Sequence, residues 1–118
     1  MTLDLEWVDE FPGAVTVTDA QGAIVAMNRA AREGFAEEGG AALLGRSVFD
    51  CHPEPSRSLL REMYEQQRAH HYTIRTRSGR HKAIHQVPWY QEGAFAGFVE
   101  ISLKIPEQLP HFDRSRNP

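Results

Sequence analysis

Val15-Thr16-Val17-Thr18-Asp19-Ala20-Gln21-Gly22 is the stretch on which the fold turns. Val15 and Val17 alternate with Thr16 and Thr18, a β-branched run suited to a pleated, half-buried strand. Asp19-Ala20-Gln21-Gly22 then supplies turn chemistry, because an Asp side chain bonds its own backbone and Gly accepts a positive φ. Ile24, Val25 and Met27 make a second strand, so residues 14–28 read as a β-hairpin. Asn28 stands where helix formers begin (Arg29-Ala30-Ala31-Arg32-Glu33) and is suited to cap that helix. Gly39-Gly40 breaks it.

Upstream of the hairpin, Leu3, Trp7, Val8 and Phe11 share one side at helical spacing, with Asp4, Glu6, Asp9 and Glu10 largely opposite. This predicts a short helix within residues 2–11, stopped by Pro12-Gly13. Downstream, Ala41 to Leu44 is a short helical stretch running into Gly45. Ser56 to about Ala69 is a longer amphipathic helix with Leu59, Leu60, Met63 and Tyr64 on one face. Pro55 suits its start, where a missing N–H costs nothing. His70-His71 is expected at the end of this helix, where a protonated imidazole meets the negative end of the dipole. Strands follow over Tyr72 to Arg77 and Arg80 to Tyr90, joined by the two-residue turn Ser78-Gly79. Gln91-Glu92-Gly93 turns into a last strand in which Val99, Ile101, Leu103 and Ile105 alternate with Phe98, Glu100, Ser102 and Lys104. Strands at both ends with helices between them imply an α+β fold, an antiparallel sheet covered on one face. Residues 1–105 form one domain in this reading, and 106–118 are a polar tail.

Composition bounds the class. The chain has 118 residues, 41% of them hydrophobic and 25% charged, which is ordinary for a globular domain able to bury its own core. A formal net charge of −3 gives no reason to expect nucleic acid or an anionic membrane surface as a partner. The single cysteine cannot form an internal disulfide. No apolar run approaches the roughly 20 residues that span a bilayer, and the first residues lack a signal peptide's basic and apolar regions. A cytoplasmic location is the expectation.

The order of elements resembles a PAS domain over roughly residues 5 to 105. The residues that carry the resemblance are the hairpin Val15 to Gly22, the following Asn28, the approach Leu44-Gly45-Arg46-Ser47-Val48 and the ending Gly97-Phe98-Val99-Glu100-Ile101. It implies a five-stranded antiparallel sheet with helices on one face and a short flanking N-terminal helix. Gly45-Arg46-Ser47-Val48 with Cys51-His52-Pro53, a nearby Pro and Ser56 is similar to a bacterial PAS subfamily found in hemerythrin-associated proteins of unassigned function. That subfamily carries Cys-His-Pro-Pro-Lys-Ser, and here Glu54 replaces its second Pro.

The corner Asp50-Cys51-His52-Pro53-Glu54-Pro55-Ser56 is the candidate site. As a metal centre it is weak: adjacent side chains diverge, whereas zinc needs ligands converging within about 2.0–2.3 Å of one point. His81 and His85 lie about 13 Å apart along a strand and cannot share an ion. As a nucleophile pair it lacks a third group to orient the base. No Gly-rich phosphate loop, carboxylate pair or Ser-His-Asp pattern is present, so an enzyme is not expected. Structurally, Cys51 would pack as a small buried hydrophobe and His52 would bind a neighbouring carbonyl.

The resemblance turns the corner into one wall of a ligand cavity, whose expected residues are Cys51, His52, Ser56, Leu60, Met63, Tyr64 and His85. The ligand would be an unknown small molecule, with haem as an alternative through His52 or Cys51. Flavin is disfavoured, because Asp50-Cys51-His52-Pro53 does not match the Asn-Cys-Arg-Phe-type run of photoactive flavin PAS domains. Two functions compete. One is a sensor signalling through a homodimer or a separate output protein; the other is a ligand-free dimerisation module. In both, Leu3, Trp7, Val8 and Phe11 are the expected dimer interface.

Overall fold

A computed structural model describes residues 5–116, so Leu3 lies outside the described residues. Strands β1 (Ala14–Thr18) and β2 (Ile24–Met27) form the expected hairpin. Helix α1 (Arg29–Gly34) follows, then 3-10 turns at Ala36–Glu38 and Gly40–Leu43, and helix α2 (Ser56–Gln66). Strands β3 (His70–Arg75), β4 (His81–Gln91) and β5 (Ala94–Lys104) complete a five-stranded antiparallel sheet in the order β2-β1-β5-β4-β3. The first hairpin therefore pairs with the last strand, Val15 opposite Ile101 and Val17 opposite Val99.

Asn28 locks the N-terminal segment to this sheet. Its Oδ1 accepts from the N–H of Ala31, capping α1, and from the N–H of Val15. Its Nδ2 donates to the carbonyls of Val8 and Gly13. All four side-chain bonds are made at a residue only 5% exposed. Residues 2–4 of the expected N-terminal helix lie outside the described residues; within these, the segment makes one 3-10 turn, Leu5–Val8, with Asp9 N–H bonding the Glu6 carbonyl at i+3 spacing.

Two further expectations are corrected. Helix α2 stops at Gln66, because Gln67 turns left-handed (φ 52°) and the N–H groups of Gln67 and Arg68 both fold back to the Met63 carbonyl. His70-His71 thus opens β3 instead of ending a helix. Backbone pairing to β4, His70 opposite Gln86 and His71 opposite His85, overrides local helix propensity. The β3–β4 connection is also longer than Ser78-Gly79. A two-residue type I′ turn needs positive φ at both positions, and here only Gly79 has it, at 86°. Glu92 (φ 52°) and Gly93 (φ 83°) do satisfy that condition and make the tight β4–β5 turn.

The core lies between the helices and one sheet face. Ile24, Met27, Ala31 and Leu43 form one cluster; Phe49, Met63, Tyr64 and Phe98 form the other. Strand alternation puts Thr16, Thr18, Ile84, Gln86, Phe98 and Glu100 on this helix-covered face. The more uniformly apolar row, Val15, Val17, Val99, Ile101 and Leu103, faces the other way. Phe11 and Leu103 both pack against Gly13 at one end of that outer face.

Candidate functional site

Between α2, the corner before it and the inner sheet face is a cavity of about 520 Å³. Leu60, Met63 and Tyr64 project from α2 into its wall, as i, i+3 and i+4 positions of one helical face must. The sheet contributes Thr16, Thr18, Tyr72, Gln86, Phe98 and Glu100. Ile24, Met27, Leu43 and Val48 close the far end, with Glu38 and Arg46 among the lining groups. The surface is mainly hydrocarbon with a few polar groups, the composition of a small-molecule site.

Those polar groups are organised by the sheet. Thr18 Oγ1 and Tyr64 Oη share a hydrogen bond of 2.6 Å, and Phe98 N–H donates to the same Oγ1 at 3.2 Å. Gln86 Nε2 donates to Glu100 Oε2 at 2.8 Å across the directly paired β4 and β5. Burial pushes the Tyr64 phenol above its ordinary pKa of 10.0, opposed by the Thr18 bond and reinforced by the charges of Asp19 and Glu100. Burial and then Glu100 push Tyr72 upward as well. Both phenols therefore stay neutral around pH 7 and remain hydrogen-bonding groups.

Of the residues expected at the site, Cys51, His52, Leu60, Met63 and Tyr64 come together around this cavity. Cys51 is exposed at its lip, not packed as a buried hydrophobe. His52 is half-buried; its Nδ1–H donates to the Val48 carbonyl at 2.6 Å, and its own carbonyl accepts from Arg57 Nε. Ser56 is exposed at the first position of α2 and does not line the cavity. His85 lies on the opposite sheet face, because its neighbours Ile84 and Gln86 take the inner one. It is half-buried there, hydrogen-bonded to His71.

Sequence reasoning missed Thr16, Thr18, Tyr72, Gln86, Phe98 and Glu100. Period-two alternation identified the rows of β1 and β5 without showing which row faced the helices. Among the described residues no three His, Cys, Asp or Glu side chains converge on a common point.

The chain matches the profile of the PAS fold over residues 8–109. It belongs to the PAS fold family. Solved PAS structures share the architecture at low identity. The PAS domain of histidine kinase ThkA superposes with a TM-score of 0.62 at 18% identity, covering 80% of this chain and 100% of that one. The PAS domain of Bordetella pertussis BvgS gives 0.60 at 22%, covering 86% and 83%. Vibrio cholerae VqmA, a LuxR-type receptor described for its DNA-binding mechanism, gives 0.59 at 19%, covering 89% of this chain and 54% of VqmA. No curated protein matches the sequence. At these identities the likeness shows the fold alone. No helix among the described residues of this PAS domain is long and apolar enough to cross a membrane.

Proposed function

We propose that this PAS domain is a non-enzymatic, cytoplasmic sensor that takes a small, largely apolar molecule into the cavity between α2 and the sheet. One observation carries the reading: a cavity of about 520 Å³ whose hydrocarbon lining is interrupted by Thr18, Tyr64, Gln86 and Glu100. Filling it with side chains would be the economical solution for a purely structural core. The polar groups would orient the ligand, with Glu100 favouring one that presents a hydrogen-bond donor. Cys51 and His52 form the lip, and this Cys-His-Pro corner supports placement in the Cys-His-Pro subfamily. Ligand-dependent packing of α2 would pass to a homodimer partner or an output protein, and the VqmA structure solved with DPO is a precedent for ligand binding in a protein of this fold.

Native mass spectrometry of gently purified protein tests the reading. A bound small molecule that is lost in Met63→Trp, a variant that fills the cavity, supports it. A chain that carries nothing, and that no member of a small-molecule library stabilises, overturns it.

Haem is a second reading, favoured by one observation. Nδ1–H of His52 is held by a carbonyl, which leaves Nε2 as the ring's free lone pair, the usual arrangement of a metal-ligating histidine. A Soret band on adding haem, abolished by His52→Ala, would support this version, and no Soret band would remove it. The interaction-module alternative is favoured by Trp7, which is 52% exposed beside Phe11.

A further inference from the structure

The outer sheet face carries a pair of histidines that the cavity does not use. His71 on β3 and His85 on β4 occupy directly opposed positions of an antiparallel ladder. Their Nδ1 atoms are 2.9 Å apart and their ring centroids 5.1 Å apart. Both rings thus turn the same nitrogen toward one point, one donating a hydrogen and the other accepting it. The sheet backbone fixes the spacing, since directly opposed residues keep their Cβ atoms about 4.5–5.5 Å apart. His71 is exposed, so the site is open to solvent. Thr73, Ala83, Val87 and Ile101 surround the pair along the same face and bring no charge. Arg75, farther along that row of β3, is already tied to Glu107.

We propose that His71 and His85 form a two-histidine site for a divalent transition-metal ion, with water completing the coordination. Two imidazole nitrogens bound about 2.0–2.1 Å from one ion stand about 2.9 Å apart at a right angle and about 3.4 Å apart at the tetrahedral angle. The observed 2.9 Å matches the first arrangement and needs only a small opening for the second. The ion takes the place of the shared hydrogen: the donating ring changes tautomer, losing its Nδ1 proton to water while its Nε2 takes one up from water, and both neutral rings then turn an Nδ1 lone pair to the metal. Imidazole ligation with open positions suits Ni²⁺ and Cu²⁺ ahead of Zn²⁺. The inference is independent of the cavity and stands or falls without it.

Calorimetric titration of the tag-free chain with Ni²⁺ is the test. Ni²⁺ also avoids the oxidation of Cys51 that Cu²⁺ would bring. One ion per chain is expected, with affinity falling at least tenfold in His71→Gln and in His85→Gln and staying unchanged in His70→Gln and His81→Gln. Zn²⁺ added to the unsubstituted protein should shift the imidazole NMR signals of His71 and His85 ahead of those of the other histidines, a readout that needs no variant to fold. No heat at millimolar Ni²⁺, binding indifferent to both substitutions, or imidazole shifts centred on other histidines would each overturn the proposal and leave the pair a cross-strand hydrogen bond.

Discussion

Thr18 Oγ1 and Tyr64 Oη are joined by a 2.6 Å hydrogen bond that ties the end of β1 to the last turn of α2 across the cavity wall. Thr18 is 5% exposed and serves three elements at once. Its hydroxyl also accepts from Phe98 N–H of β5, and its carbonyl accepts from Trp89 Nε1 of β4 at 2.9 Å. The position where helix, hairpin and terminal strands meet is therefore held by polar bonds, while hydrocarbon fills the space around it.

Tyr64→Phe should destabilise the domain by about 1 kcal/mol, the typical net worth of one such bond, as measured by urea unfolding. It should also blunt an alkaline instability. The unfolded phenol ionises around 10.0, whereas the folded one is held higher by burial. Stability from this group is thus complete below pH 10, falls as pH rises through the folded pKa, and levels off beyond it. Tyr72, raised in the same direction, keeps part of that dependence in the variant. A Tyr64→Phe protein with the same loss of stability above pH 10 as the parent would contradict this account.

Gly97→Ala should be among the most damaging single changes. The residue has φ 137°, and an added Cβ would sit 2.0 Å from the Thr18 carbonyl oxygen, a backbone atom that cannot step aside. Strain and steric overlap together are expected to cost about 3 kcal/mol or more. Thermal denaturation checks it; a melting temperature within a degree or so of the parent would refute the packing described at this crossing.

Asn28→Ala should cost about 2–4 kcal/mol, more than an ordinary cap, because four backbone partners lose their side-chain bonds at a buried site. Asn28→Asp should recover only part of that. It keeps the two accepted bonds but turns an anionic oxygen toward the carbonyls of Val8 and Gly13. Chemical denaturation of both variants ranks them, and an Asn28→Asp protein as stable as the parent would show that Nδ2 contributes nothing.

Trp7→Ala tests the dimer. If the N-terminal turn is the interface, size-exclusion chromatography should show the parent as a dimer and the variant shifted toward monomer. Trp7 is half exposed and its contact with Phe11 is edge-on at 6.2 Å, so the folded monomer should lose little stability. An unchanged elution volume would count against this surface.

The sequence by itself determined the hairpin, the Asn28 cap, the start of α2, the order of strands and the α+β class. These follow from turn chemistry, capping and periodicity, which act over a few residues and are written locally. It also brought Cys51, His52, Leu60, Met63 and Tyr64 to one place, since a corner and the helix it feeds are neighbours along the chain. Tertiary structure alone decided the rest. Whether His70-His71 ends a helix or begins a strand depended on β4 offering backbone partners some fifteen residues away. Which face of β1 and β5 meets α2 depended on the register of strands from opposite ends of the chain. Polarity pointed the wrong way there, because the cavity takes the row with Thr16, Thr18 and Glu100 and leaves Val15, Val17 and Ile101 outside. The same register carried His85 away from the cavity and set it against His71. A one-residue step along a strand reverses a side chain's face, and only long-range pairing fixes that step.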